Sequence, residues 1–285
     1  MNEKNLGVFC LMLLFGAIPS TSIAHENPSV VALDAARNHL IKENMPAVYT
    51  VETKLLIRKR GETKTPREVI GRGAAFGVTD NGLVLTALHE VGLTFTIETP
   101  LGNVELRPSY IPPRTWSYAD GDDAEGTYTL IAKDGTRYNA EIVAINRDDD
   151  LAILSIAKTA HGKTFPFMEF ERVPLRHDSV VAIGSPFGHP FSVADGIISD
   201  PARTTADGEI RVQTSAMIHA GNSGGPLILL RNHKVAGVVT STFNPLGVPF
   251  GIGLGFAVPA SVAAKFLDDT LRMIKEGRTQ GPVAQ

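Results

Sequence analysis

Beyond about residue 46 the chain alternates short apolar, β-branched runs with clusters of Gly, Pro, Asn and Asp. Such runs fall at 48–57, 73–78, 83–88, 128–132, 140–145, 151–156, 179–183, 196–199, 210–214, 226–230, 235–240 and 253–258. Each has the length and side-chain type of a strand bounded by turn residues, and the set as a whole predicts an all-β fold, either an antiparallel sandwich or a pair of barrels. Asp80-Asn81-Gly82, Asp134-Gly135 and Asp207-Gly208 each link two of these runs, and such pairs tolerate the positive φ that tight hairpins require.

Two segments carry the helical period instead. Over 28–44 the apolar residues Val31, Leu33, Ala36, Leu40 and Ile41 recur at three- and four-residue spacing. A second helix begins at Pro259 and is stopped by Gly277, with Val262, Phe266, Thr270, Leu271 and Ile274 as one stripe. Both are expected to pack against the β structure. The tail 278–285 is expected to be disordered.

The N-terminus speaks to compartment. One lysine (Lys4) precedes an apolar run over 6–18, after which Ser22 and Ala24 stand where a signal peptidase reads small residues. That run is shorter than the ~20 residues of a bilayer span, and Phe9 before Cys10 does not fit a lipoprotein signal, so a cleavable signal peptide over 1–24 and export to the periplasm or medium are expected. Cys10, the only cysteine, leaves with it. The mature chain then has no thiol chemistry and no disulfide, and about 260 residues must hold together by hydrophobic core alone.

Composition changes the picture in one respect. The 27 basic residues against 30 acidic ones, a net charge of -3, lack the basic excess of a nucleic-acid binder, while 43% hydrophobic residues exclude a disordered chain.

The sharpest local signal is Gly221-Asn222-Ser223-Gly224-Gly225-Pro226-Leu227. A serine flanked by glycines before an apolar strand can expose its hydroxyl, and the glycines let backbone N–H groups approach a substrate carbonyl. It needs a base and an orienting carboxylate. His89 ends the strand run 83–88, and Asp150 begins the run 151–156. His25, His39, His161, His177 and His233 lie in terminal, polar or helical contexts and read as solvated; His189 and His219, beside glycine-rich segments, are less easily set aside.

The order His, Asp, Ser within Thr86-Ala87-Leu88-His89, Asp150-Leu151-Ala152 and Gly221-Asn222-Ser223-Gly224-Gly225-Pro226-Leu227 resembles the trypsin-like fold in its HtrA (Deg) branch. Gly73-Ala74-Ala75-Phe76-Gly77-Val78, Ile183-Gly184-Ser185-Pro186-Phe187-Gly188, Gly196-Ile197-Ile198-Ser199, Gln213-Thr214 and Gly255-Phe256-Ala257-Val258-Pro259 match that branch in the same order. The similarity runs from about residue 46 to 275.

The resemblance implies two six-stranded antiparallel β-barrels with the catalytic groups between them. It places an N-terminal helical segment at 25–45, the protease domain at 46–277, the barrels at about 46–170 and 171–258, and a closing helix at 259–276. It further implies a serine endopeptidase acting on exported, unfolded polypeptides without cofactor. His89 would take and return the proton of Ser223, Asp150 would fix the imidazole, and the N–H groups of Gly221 and Ser223 would hold the oxyanion. Turnover is then expected to fall as acid protonates His89, with a midpoint of about 6 to 7.5.

Met217, Ile218, His219 and Ala220 would line the primary pocket, and Thr240 and Ser241 would lie on the strand that pairs with substrate. No carboxylate sits at that pocket's base, so small to medium apolar side chains are expected, with acidic ones accepted if His219 faces in. Family members often form trimers through the N-terminal segment, making 28–44 a candidate homo-oligomer contact. The alternatives are a catalytically silent chaperone or binding protein on the same scaffold, and an esterase. The esterase reading is weakened because a strand, not a helix, follows the serine.

Three departures stand out. Asn222 stands where digestive trypsin-like enzymes have an Asp that pairs with a freshly cut N-terminal ammonium, so activation by that salt bridge is not expected; the HtrA branch shares this Asn. The chain stops about ten residues after the closing helix, leaving no room for the PDZ domain usual in this branch, so capture through such a domain is not expected. His89 and Asp150 are also further apart than is usual, with the excess at about 95–126. That stretch holds four prolines, Trp116 and the acids Asp120, Asp122, Asp123 and Glu125. It reads as a long loop without evident structure, either a binding loop or a surface elaboration packed by Trp116. Its acids miss the calcium-loop spacing and no paired-histidine spacing suggests zinc, so no metal is expected.

Overall fold

A computed structural model describes residues 28–61, 65–92, 95–99, 102–106, 109–111, 115–117, 122–156, 163–205, 208–242 and 254–277. Helix α1 (Pro28–Asn44) leads through a 3-10 turn into β1 (Val48–Arg58), β2 (Arg67–Gly77) and β3 (Leu83–Ala87). Four short strands follow, β4 (Phe95–Thr99), β5 (Gly102–Leu106), β6 (Ser109–Ile111) and β7 (Thr115–Ser117), then β8 (Asp123–Ala132), β9 (Arg137–Asn146) and β10 (Leu151–Ile156). β1, β2, β3, β10, β9 and β8 are hydrogen-bonded in that order, and the β1–β8 pairing closes the ring. The second barrel, β11 (Ser179–Gly184), β12 (Ser192–Thr204), β13 (Ile210–Thr214), β14 (Pro226–Leu229), β15 (Val235–Thr242) and β16 (Gly255–Pro259), closes in the order β11-β12-β13-β16-β15-β14. Helix α2 (Ala260–Lys275) ends the described chain. The fold is thus the expected pair of six-stranded antiparallel barrels.

Strand periodicity explains which face is inside. On β8, Ala124, Tyr128 and Leu130 are buried while Glu125 and Thr127 face water, the period-2 pattern of a sheet with one wet side. β10 departs from it, with Leu151, Ala152, Ile153 and Leu154 all buried. Ala152 and Leu154 point into the first barrel with Tyr49, Val51 and Leu130. Leu151 and Ile153 point the other way, into a cluster with Phe76, Leu85, Val181, Ile183, Ile228 and Val258. An unbroken apolar run is what a strand between two cores requires, and each fully buried Leu or Ile contributes about 1.5–3 kcal/mol. The hairpin glycines Gly82, Gly135 and Gly208 all take positive φ, as their turns require.

The structure corrects several expected details. The stretch after β3 is not devoid of order: β4 pairs with β5 and β6 with β7, and β7 extends the first sheet by pairing with β8. β2 begins six residues before the apolar run. Its extra length mixes charged Arg67, Glu68 and Arg72 with Val69 and Ile70 and pairs with β1, where Arg72 meets Glu52 at 2.7 Å and Lys54 meets Glu68 at 2.6 Å; cross-strand charge pairs support a strand that hydrophobicity alone does not mark.

Both helices bury less than their stripes predict. In α1 Leu40 is fully buried, whereas Val31 and Leu33 are exposed. In α2 the buried residues are Ala260, Ala263, Ala264, Leu267 and Thr270, while Leu271 and Ile274 face outward. The contact face is rotated toward small residues that let the helix lie close to the barrel.

Candidate active site

β3 ends at Ala87, and a single 3-10 turn, Leu88–Glu90, carries His89 off its end. Asp150 stands immediately before β10, the strand paired with β3. It sits at φ 58, a left-handed conformation that non-glycine residues adopt rarely and at a cost. The preceding turn holds it there: the Asn146 amide donates to Asp149 at 2.8 Å, and the Asp149 N–H donates to Asn146 Oδ1 at 3.0 Å. The Leu88 N–H then bonds the Asp150 carbonyl at 2.9 Å. This register puts the carboxylate under the imidazole, with Oδ2 2.6 Å from His89 Nδ1 and Oδ1 accepting the His89 backbone N–H at 3.0 Å.

Ser223 comes from the second barrel, on the turn before β14. Gly224 in that turn has φ +80 and lies so close to the first barrel that a Cβ would be 2.2 Å from the Ala74 carbonyl oxygen and from Thr86 Oγ1. Gly221 has φ +94 with the Ser185 carbonyl 2.3 Å from where a Cβ would be. Only glycine meets both demands. The Ala74 N–H donates to the Ser223 carbonyl at 2.9 Å and the Gly224 N–H to Val239 O at 2.7 Å, so both barrels fix the turn.

Thr240, on β15, joins the two halves. Its Oγ1 donates to Asp150 Oδ2 at 2.8 Å, and its carbonyl accepts the Ser223 hydroxyl at 3.1 Å. Among the described residues no hydrogen bond joins Ser223 to His89. The imidazole's free nitrogen instead faces a second carboxylate, with Nε2 3.4 Å from Glu90 Oε1. Glu90 is largely buried and packs over Gly73, where a Cβ would fall 2.2 Å from its carboxylate carbon.

These contacts set the site's protonation. Burial pulls the His89 pKa down, but hydrogen bonding and charge from Asp150, and then from Glu90, outweigh it and push the value up to about 10. Burial alone would raise the Asp150 pKa; His89, Thr240 and the His89 N–H hold it below the usual carboxylate range. The base is therefore an imidazolium between two carboxylates at neutral pH. That places the protonation of His89 above the midpoint of 6 to 7.5 expected from the sequence, first because of the close contact with Asp150 and then because of Glu90, whose part the motifs do not reveal.

The other singled-out residues lie around this point. Gly221 and Ser223 occupy one tight turn, and among the described residues neither N–H donates to another backbone group. Met217 is exposed, Ile218 is buried and Ala220 is exposed. His219 is half-buried and its ring stacks at 5.3 Å against Phe187, a residue at φ 51 in the turn after β11. Asn222 donates to the Met217 carbonyl at 3.4 Å. Ser241 pairs with Phe256 across β15 and β16. His189 is exposed on the same turn as Phe187. His25 and His161 lie outside the described residues, as does the leader expected at 1–24.

The sequence reading misses Glu90, which is adjacent to His89 and separated from it by nothing but residue type, and it misses the bridging role of Thr240. It also names Ser185 only as part of a motif, with no role. That buried residue shares a 2.8 Å hydrogen bond with Thr50 of the first barrel.

Comparison with known proteins bears on the family and the fold. A model of the trypsin-like peptidase domain matches residues 73–238. A probable periplasmic DegP-like serine endoprotease of Rhizobium meliloti is 37% identical over 221 residues, covering 76% of this chain and 36% of that protein. One from Brucella suis is 29% identical over 230 residues, covering 78% and 37%. The chain thus spans little more than a third of the length of these relatives. The HtrA-type protease AlgW superposes with a TM-score of 0.60 at 24% identity when solved with a tripeptide, over 84% of this chain and 64% of that one. With a decapeptide bound the TM-score is 0.59 at 23% identity. The family match, over more than half of the chain, shows that the chain belongs to the trypsin-like peptidase family; its similarity to DegP-like serine endoproteases covers about a third of their length.

Proposed function

We propose that the chain is a serine endopeptidase that cleaves exported polypeptides with Ser223 as nucleophile, His89 as general base and acid, and Asp150 as the group that orients the imidazole. The observation that carries this reading is the continuous chain of hydrogen bonds from His89 through Asp150 and Thr240 to Ser223 across the two barrels. In the reactive arrangement the Ser223 hydroxyl gives up Thr240 and donates to His89 Nε2. Its oxygen attacks the peptide carbonyl, the proton passes to the imidazole, and the same proton goes to the departing amine. Water then repeats the sequence on the acyl-enzyme. The N–H groups of Gly221 and Ser223 accommodate the oxyanion, a role in which losing one donor costs roughly 100- to 1000-fold in rate.

Glu90 adds a further element. It occupies the face of the imidazole that must meet Ser223 and keeps the base protonated, so turnover requires His89 to leave Glu90 and lose a proton. The arrangement seen here is then a latent one.

The primary pocket is assigned to Met217, Ile218, His219 and Ala220, with a preference for small to medium apolar side chains. The contact of His219 with Phe187 supports keeping its ring on the rim. No helix among the described residues is long and apolar enough to cross a membrane. The periplasmic names of the relatives support export. The exposed Val30, Val31 and Leu33 of α1 support a homo-oligomer contact there.

The test is digestion of unfolded casein by the purified chain beside its Ser223→Ala variant. Cleavage by the parent and none by the variant is expected. Equal digestion by both would refute the reading, and digestion by neither at any pH up to 10 would leave the scaffold a binding protein.

A further inference from the structure

Far from the cleft chemistry, three side chains that the sequence separates widely come together on the surface of the second barrel. His39 and Glu43 stand one turn apart on α1, and His233 reaches them from the turn joining β14 to β15. Their donor atoms all lie within 4.8 Å of one another. Glu43 Oε2 is 3.7 Å from His39 Nδ1 and 2.5 Å from His233 Nδ1, and the two imidazole rings are 5.3 Å apart. We propose that His39, Glu43 and His233 form a zinc-class transition-metal site that clamps α1 to the β14–β15 hairpin.

The chemistry of the set carries the assignment. Two imidazoles and one carboxylate are a donor set that suits zinc and neighbouring first-row ions rather than calcium or magnesium, which prefer oxygen. Donors at about 2.0–2.2 Å from a tetrahedral ion stand about 3.4 Å from each other. The Glu43–His39 separation of 3.7 Å is already close to that, the Glu43–His233 contact of 2.5 Å would open as the ion replaces its hydrogen bond, and the donor atoms of the two imidazoles, within 4.8 Å of each other, would settle to the same spacing. A fourth position is open to water, since His39 and Glu43 are well exposed.

The backbone supports the same reading. His233 holds φ 59, in the left-handed region where a turn would ordinarily place glycine or asparagine. It does so in a turn that is otherwise well tied. The His233 N–H bonds Leu229 O at 2.9 Å, Asn232 donates to Glu171 at 2.9 Å, and Arg231 donates to Asp178 at 3.2 Å. The third ligand is thus presented on a rigid support. On the facing side, Arg37 of the same helix reaches Asp195 of β12 at 2.9 Å, so α1 already has one charged tie to this barrel and the metal would supply another.

The proposal is independent of whether the cleft is active. Its test is calorimetric titration of the chelator-treated, dialysed full chain with zinc chloride, together with melting curves. One ion per chain is expected, and zinc at a hundredfold excess over its dissociation constant raises the melting temperature by about 5–10 °C. His39→Ala and His233→Ala each weaken binding by at least about tenfold, since even outer-shell changes cost that much, and remove the thermal shift. His177→Ala, a histidine outside the cluster, binds like the parent. Absence of zinc binding, or affinity unchanged in both His39→Ala and His233→Ala, would overturn the site; the latter result would place the ion elsewhere, as at His89 and Asp150.

Discussion

Glu90 and Asp150 contact opposite nitrogens of one imidazole, and in the proposed mechanism only one of these carboxylates is useful to a nucleophilic serine. There Asp150 would steady the tautomer, whereas Glu90 would compete with Ser223 for the same edge of the ring. Removing the charge in Glu90→Gln should lower the pH at which His89 loses its proton by roughly one unit, and raise casein turnover near pH 8. A pH–rate profile of parent and variant checks this, and unmoved profiles would rule it out. The sign for stability is opposite to that for rate. With a folded pKa of about 10 against 6.5 for a free imidazole, the stabilisation from protonated His89 is complete below 6.5 and is lost as pH climbs toward 10, while the neutral base that catalysis needs becomes abundant in the folded protein only toward the top of that window. At this scale the sequence marked Ser223, His89 and Asp150, because each sits at a strand end inside a characteristic motif. Glu90 was invisible as a participant because its effect depends on side-chain direction. Gly73, whose lack of a side chain makes room for that carboxylate, was legible only as part of a strand.

Among the elements, apolar periodicity found all twelve barrel strands and both helices. It failed where other forces shape the backbone. The start of β2 rests on charge pairs with β1, and the hairpins β4–β5 and β6–β7 lie in a proline-bearing stretch whose alternation is too short to separate from loop. The helix stripes were only partly right, since α1 commits mainly its C-terminal half to the core and α2 packs through Ala263 and Leu267 beside Val262 and Phe266 while Leu271 and Ile274 face outward. Leu40 is the test of α1. It is fully buried in the cluster shared with Met45 and Val48, so Leu40→Ala should cost about 3 kcal/mol. Leu33→Ala, on the exposed half, should stay within about 0.5 kcal/mol in the monomer. Urea unfolding of the two variants provides the comparison, and equal losses would mean that the helix docks along its whole length.

Taken whole, the molecule depends on how its barrels meet. Leu151 and Ile153 of the first share a core with Val181, Ile183 and Ile228 of the second, and Gly224 sits directly against Ala74 and Thr86 of the first. Gly224→Ala should therefore cost about 2–4 kcal/mol, from the strained φ and from forced separation. Casein digestion should fall with it even at temperatures where circular dichroism still reports folded protein. Retained activity with native stability would show that the contact can yield. Long-range convergence of this kind was the least legible level. Thr240 read as a substrate-strand residue and His39 and His233 read as solvated, because each acquires its neighbours only when distant segments meet.

That dependence gives Thr240 a consequence of its own. One residue of the second lobe holds both the Asp150 carboxylate of the first and the Ser223 hydroxyl of its own, so a shear of one lobe against the other by little more than an ångström would sever the Thr240–Asp150 link while leaving the Thr240–Ser223 one in place. The hydrolytic apparatus thereby acts as a gauge of lobe alignment, and it should fall silent under mild denaturant or pressure before either lobe begins to unravel.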